Sequence, residues 1–242
     1  MSSQDNIYST YQDKVEAFKF DDAVASVFSD MIKRSVPGYE AIITMIGVFT
    51  QAHAKENTVC YDLGCSLGAS TIAILSNLNK QNTSVTAVDN SDAMVARCTE
   101  NLNQINIDDN FSVICEDIRN VEFKPASVVV LNFTLQFIPE ADRLPLLKKI
   151  ADALVPGGIL VMSEKICFDD SALNDIQTEL HHAFKKAQGY SDLEISQKRT
   201  ALENVLIPEP EKVHLERFKQ AGFSKSQMWF RCLNFSSFYA IK

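Results

Sequence analysis

Tyr61-Asp62-Leu63-Gly64-Cys65-Ser66-Leu67-Gly68 leaves a run of β-favouring residues and enters a helix-favouring one. Glycines in such a turn let the backbone pass close to a ligand, and the helix N-terminus beyond favours the ligand's anionic parts. The segment has no Walker lysine, and Ser66 stands where G-x-G-x-x-G requires its second glycine, which argues against a dinucleotide. Asp62 would sit badly with a pyrophosphate and suits a ligand carrying an ammonium and a sulfonium. Asp89 ends the next β-run, where an acid can accept both hydroxyls of a ribose, although Asn90 and Ser91 could equally cap the following helix. Asp117-Ile118 follows the third β-run; its carboxylate can accept from an adenine amino group while the next backbone N–H donates to the ring. Asn132 closes the fourth run and, being uncharged, can contact the amino-acid end of a ligand without titrating. Each residue alone has an ordinary explanation as a turn, a cap or a solvated loop acid. Four candidates on four consecutive strand ends are harder to explain that way.

These residues need a frame that brings strand ends together. Residues 57 to 165 alternate strand-like and helix-like segments, with strands over Thr58–Leu63, Ser84–Val88, Phe111–Cys115, Ser127–Phe133 and Ile159–Ser163. Helices fall at Ser70–Asn79, Asp92–Ile105 and Leu144–Leu154, the last requiring Pro145 in its first turn. Pro156-Gly157-Gly158 reads as a tight break before the fifth strand. All-apolar runs such as Val128-Val129-Val130-Leu131 are the pattern of a parallel sheet covered on both faces. Before this core, residues 1 to 55 read as a polar tail and two helices divided by Ser35-Val36-Pro37-Gly38-Tyr39, because Pro37 disfavours helix at Val36 and Gly38 frees the turn. After it come helices over Ser171–Ala187, Leu193–Leu206 and Glu211–Ala221, then two β-runs, Ser226–Cys232 and Phe235–Ile241, expected to pair antiparallel and close the sheet. The expectation is one domain over 1–242: a helical cap (1–55), a cofactor-binding core (56–165), and a helical insertion with closing strands (166–242).

Composition narrows the function. The 242 residues are 46% hydrophobic, enough for one sizeable core, and carry a net charge of −8, which disfavours direct contact with nucleic acid. The six cysteines include no C-x-x-C pair, and four sit among apolar neighbours, as reduced core thiols do. No apolar run approaches the roughly 20 residues of a membrane span, and Met1-Ser2-Ser3-Gln4-Asp5-Asn6 lacks the features of a signal peptide. A cytoplasmic protein without a membrane or metal partner is expected.

An acidic strand-glycine loop, an acid ending the second strand and an Asp after the third resemble class I S-adenosylmethionine (SAM)-dependent methyltransferases over residues 55 to 165. The resemblance implies a Rossmann-like α/β fold with a mostly parallel seven-stranded sheet, an antiparallel C-terminal strand and here a helical N-terminal cap. A narrower resemblance spans nearly the whole chain. Arg34-Ser35-Val36-Pro37-Gly38-Tyr39, Asp62 to Gly68, Val130-Leu131-Asn132-Phe133-Thr134-Leu135-Gln136-Phe137, Ser163-Glu164-Lys165 and Gly189-Tyr190-Ser191-Asp192-Leu193-Glu194-Ile195-Ser196-Gln197-Lys198-Arg199 look like the CmoA family of carboxy-S-adenosyl-L-methionine synthases. That family converts SAM and prephenate into carboxy-S-adenosyl-L-methionine and phenylpyruvate, and a separate enzyme uses the product on tRNA wobble uridine. The resemblance implies ligand contacts at Tyr39, Gly64, Cys65, Ser66, Asp89, Asn90, Asp117, Ile118, Asn132 and Arg199, and a homodimer.

Carboxyl transfer to the sulfonium methyl requires loss of a proton from that methyl, and the adjacent sulfonium charge stabilises the carbanion left behind. The protein's task is then positioning and excluding water. An arginine can hold the new carboxylate bidentately, and on the resemblance Arg199 is the candidate; alone it would read as a surface cation on its helix. Lys165, just beyond the fifth strand, reads as an exposed loop lysine unless it attracts the carboxylates of prephenate. His181-His182 point in different directions without a third ligand, so neither is given a role. The alternatives are an ordinary methyltransferase acting on a small acid and a non-catalytic SAM-binding module.

Overall fold

Short runs of aliphatic residues make the centre of the computed structural model, which describes residues 4–105 and 110–242. Residues 1–3 of the expected polar tail lie outside the described residues. In chain order the elements are α1 (Asp22–Ser35), α2 (Tyr39–His53), β1 (Val59–Leu63), α3 (Ala69–Asn77), β2 (Ser84–Asp89), α4 (Asp92–Asn103), β3 (Phe111–Cys115) and β4 (Ala126–Asn132). A 3-10 turn at Leu135–Phe137 follows, then α5 (Glu140–Ala153), β5 (Leu154–Cys167), α6 (Ser171–Ala187), α7 (Asp192–Leu202), β6 (Glu209–Pro210), α8 (Glu211–Ala221), β7 (Lys225–Cys232) and β8 (Phe235–Ile241).

The strands lie in the order β3-β2-β1-β4-β5-β8-β7, with the two-residue β6 added beside β5. β8 runs antiparallel to both β5 and β7, and the other neighbours on this path are parallel. Successive side chains of β4 go to opposite faces. Val128 and Val130 pack with Ile42, Ile46 and Ile74 of α2 and α3, whereas Val129 and Leu131 pack with Leu146, Leu147 and Ile150 of α5 and Phe218 of α8. Two apolar layers on one strand explain why its sequence does not alternate. Strand order reverses between β1 and β4, and the crevice opens outside their carboxyl ends, where such sheets receive ligands.

Three local expectations change. α5 starts at Glu140, not Leu144, because Glu140 and Asp142 suit a helix N-terminus behind Pro139; Pro145 therefore lies inside the helix. Pro156-Gly157-Gly158 does not precede the fifth strand but lies within β5. Pairing passes from Ala126↔Leu154 to Val128↔Ile159, so extra residues bulge out there and Gly157 takes φ +76. α7 stops at Leu202, short of the expected Leu206, as the chain turns so that Ile207 N–H donates to the Gln136 carbonyl at 3.0 Å. The polar tail is also not loose. Tyr8 and Phe18 are buried in a cluster with Val24, Val27 and Met31 of α1, and Phe18 N–H donates to the Ala201 carbonyl at 2.9 Å.

Candidate functional site

Gly64 leaves β1 with φ +83, a conformation that disfavours any side chain, and a Cβ there would overlap the side chain of Thr134. The β1–α3 turn and the loop after β4 thus meet backbone to side chain. Gly64 and Cys65 N–H groups both donate to the Val88 carbonyl, at 2.7 and 2.9 Å, tying the turn to β2. Ser66, at φ 50, donates its N–H to Asp89 Oδ2 at 2.9 Å, while Asp89 Oδ1 accepts from Ser91 N–H at 3.0 Å. Asp89 thereby holds two loops in register. Burial raises its carboxyl above the usual range, against the pull of these N–H donors.

At the other side of the crevice, Asn132 ends β4. Its Nδ2 donates to Ser70 Oγ at 3.1 Å, and its Oδ1 is buried without a partner among the described residues. An unsatisfied buried carbonyl costs about 1–3 kcal/mol, which a ligand's ammonium would recover. Asp117 follows β3, where Arg119 donates to it at 2.6 Å and holds its carboxyl below the ordinary value. Ile118 is buried beside it. Cys65 is buried, and Cys98, burial and nearby carboxylates push its thiol up, so it behaves as an inert apolar group.

Tyr39, Gly64, Cys65, Ser66, Asp89, Asn90, Asp117, Ile118 and Asn132 all line one cavity of about 340 Å³. Its roof is aromatic: Phe20 meets Phe28 at 6.2 Å and Phe137 at 5.2 Å between centroids, and Phe18 stands beside it. The strap carrying Phe20 is fastened by Ser91 Oγ, which donates to the Phe20 carbonyl at 2.5 Å. Such a roof excludes water from the carboxyl ends of the strands.

Arg199 stands apart. It is exposed on α7 and does not line the cavity, although its charge helps to lower the pKa of Lys165. Asp62 is fully buried beneath the site and outside its lining; Thr71 Oγ1 donates to Oδ2 at 2.6 Å, Oδ1 has no partner among the described residues, and burial pushes the carboxyl up to about 7. Lys165 is not an exposed loop residue. β5 continues two residues past it, and the partly buried side chain lines the cavity. Lys185, Lys198 and His181 line it too, and no sequence signal separated them from ordinary helix-surface charges. His181 Nε2 lies 2.8 Å from the Ser35 carbonyl, so it carries the proton, and burial drives the ring down to about 3. His181 is therefore neutral at physiological pH. Glu164 shapes the wall by accepting from Leu135 and Gln136 N–H, each at 2.9 Å; burial pushes it up to about 8. Among the described residues no cluster of His, Cys, Asp or Glu could hold a metal ion.

The cavity thus presents carboxylates over β2 and β3, Asn132 at the end of β4, and the ammonium groups of Lys165, Lys185 and Lys198 beside β5. Residues 60–158 match the family described as Methyltransferase domain. The carboxy-S-adenosyl-L-methionine synthase of Aliivibrio salmonicida (strain LFI1238) is 50% identical over 242 residues, the full length of both chains. That of Shewanella sp. (strain ANA-3) is 53% identical over 241 residues, covering 100% of this chain and 99% of the relative. Among solved structures, the magnesium protoporphyrin IX methyltransferase of Synechocystis PCC 6803 matches with a TM-score of 0.61 at 14% identity, covering 88% of this chain and 87% of that one. At that identity the likeness concerns the fold, which is that of class I methyltransferases.

Proposed function

The chain belongs to the family of carboxy-S-adenosyl-L-methionine synthases, and from that premise we propose that prephenate is its carboxyl donor. The enzyme is a transferase whose substrate is SAM and whose product is carboxy-S-adenosyl-L-methionine. In the proposed reaction prephenate loses its ring carboxylate as carbon dioxide and its ring hydroxyl as hydroxide, becoming phenylpyruvate. A proton from the sulfonium methyl joins the hydroxide as water, and carbon dioxide bonds to the carbon that lost it. SAM supplies the sulfonium charge that makes this proton removable.

The protein's residues then have positioning roles. Gly64, Cys65 and Ser66 offer main chain to the ligand, Asp89 and Asn90 take the ribose, and Asp117 with the Ile118 N–H takes the adenine. Asn132 Oδ1 and Tyr39 meet the amino-acid end. The observation that carries this assignment is Asn132 Oδ1, a buried acceptor without a partner among the described residues, on a residue that lines the same cavity as the ribose and adenine partners.

Arg199 is proposed to hold the new carboxylate from across a homodimer, since it is exposed and off its own chain's cavity. α6, which contacts α7, carries exposed Leu173, Ile176 and Leu180 and offers the apolar surface such a dimer needs. Residues 1–242 are read as one domain working in the cytoplasm, whose product passes to a separate enzyme that modifies tRNA wobble uridine. No helix of the described residues is long and apolar enough to cross a membrane. The small molecule that copurifies tests the reading. A species heavier than SAM by one carbon dioxide supports it; only SAM or S-adenosylhomocysteine would favour an ordinary methyltransferase.

A further inference from the structure

Beyond β5 the cavity changes character from acidic to basic. Lys165, Lys185 and Lys198 reach it from β5, α6 and α7. Lys185 and Lys198 are only 5% and 6% exposed, an unusual place for ammonium groups. Lys198 has local compensation: its Nζ donates to Ser35 Oγ at 3.3 Å and lies 3.7 Å from Asp5 Oδ2. Asp5 also accepts from Tyr190 OH at 2.5 Å, and nearby Arg34 is paired with Asp30 at 3.0 Å. Lys165 and Lys185 have nothing equivalent. No carboxylate of the described residues lies within 4.0 Å of either nitrogen, and neither donates a side-chain hydrogen bond. Lys185 lies against the Tyr190 ring, whose centroid is 5.0 Å from its nitrogen, and feels Asp5 and Glu194 only at longer range.

We propose that Lys165 and Lys185, with Lys198 behind them, bind the two carboxylates of the second substrate. This rests on the reading above, in which that substrate is prephenate, a dicarboxylate. Two ammonium groups without an ion-pair partner among the described residues face a substrate of charge −2, which supplies the missing counter-charge. Burial together with the charges of Lys198 and Lys165 holds Lys185 down to about 7, and burial holds Lys198 down to about 8, so the free cluster is under electrostatic stress that an anion relieves. His181, being neutral, adds no charge. The basic end lies beyond Asn132 in the strand order, on the side opposite Asp89 and Asp117, so a dianion there leaves the nucleoside partners free. The product phenylpyruvate has one carboxylate and loses half of this attraction, which favours its release.

Binding to protein saturated with S-adenosylhomocysteine, which has no sulfonium methyl to react, separates the site from the chemistry. Calorimetric titration should show prephenate binding at least tenfold more tightly than phenylpyruvate. Lys165→Met and Lys185→Met should each weaken prephenate about tenfold or more, remove most of that preference, and leave S-adenosylhomocysteine affinity within twofold. Lys185→Met should also raise Tm by a few degrees, because an unpaired buried charge is gone; a lysine kept for structure would give the opposite. Prephenate affinity within twofold of wild type in both variants, with unchanged S-adenosylhomocysteine binding, overturns the proposal, as does a wild type that binds no prephenate. Lysine-dependent binding without carboxyl transfer would uphold the dianion site while rejecting the proposed reaction.

Discussion

Asn132 and the lysines make opposite demands on a ligand, and substitutions separate them. Asn132→Leu removes the orphaned carbonyl, so affinity for SAM should fall about tenfold to a hundredfold in calorimetry, from about 1–3 kcal/mol of lost hydrogen bonding. Tm should change little. Prephenate recognition should instead depend on pH. Lys185 is charged below about 7 and loses its proton above it; burial, then Lys198 and Lys165, push it down, while Asp5 and Glu194 pull it up. The KM for prephenate should therefore rise between about pH 7 and 8.5 while the KM for SAM stays nearly flat; a flat prephenate profile would count against the lysine site. Asp89, Asp117 and Asn132 were legible in the sequence because each ends or closely follows a recognisable β-run, whereas Asp62, inside its run, lies outside the cavity lining. Lys185 and Lys198 were not, since a lysine on an amphipathic helix nearly always reads as solvated, and only the fold turns these inward.

The elements position the site through a few tertiary bonds. Glu164 in β5 accepts from Leu135 and Gln136 N–H, and Gln136 Oε1 accepts from Lys165 N–H at 2.9 Å. Glu164→Gln sets an amide NH2 against one of those N–H groups and should cost about 1–3 kcal/mol, visible as a lower Tm. His214 on α8 is a second test of packing. Its ring nitrogens have no hydrogen-bond partner among the described residues, and burial drives it down to about 4 from 6.5. The unfolded chain takes up a proton between those values and the folded one does not. Stability is therefore full above about pH 6.5 and falls by on the order of 3 kcal/mol as pH drops to about 4. His214→Phe, against Phe238 at 5.4 Å, should remove that part of the acid sensitivity, so its Tm advantage should grow over this window. Element identities were legible from periodicity, and boundaries less so. Pro145 suggested a later helix start, and Pro156-Gly157-Gly158 suggested a break, because a bulge inside a paired strand has the same local chemistry as a turn.

At the scale of the molecule, the sheet order brings residues far apart in sequence to one edge, and the N-terminal strap closes over them. The strand order was not read from the sequence; the parallel core and the antiparallel closing pair followed from alternating βα units and the last two β-runs. The strap did not, because its polar residues hid the buried Tyr8 and Phe18. Arg199 belongs to this scale too, being exposed and outside its own cavity. Arg199→Ala should weaken carboxy-S-adenosyl-L-methionine far more than SAM in calorimetry; equal weakening would remove its assigned part. The most direct measurement uses prephenate carrying a labelled ring carboxylate, incubated with SAM and enzyme, with mass spectrometry of the adenosyl product. Carboxyl transfer predicts that the label appears in a product heavier than SAM by one carbon dioxide, with phenylpyruvate formed in equal amount. Label found only in free carbon dioxide, with SAM unchanged, would contradict it.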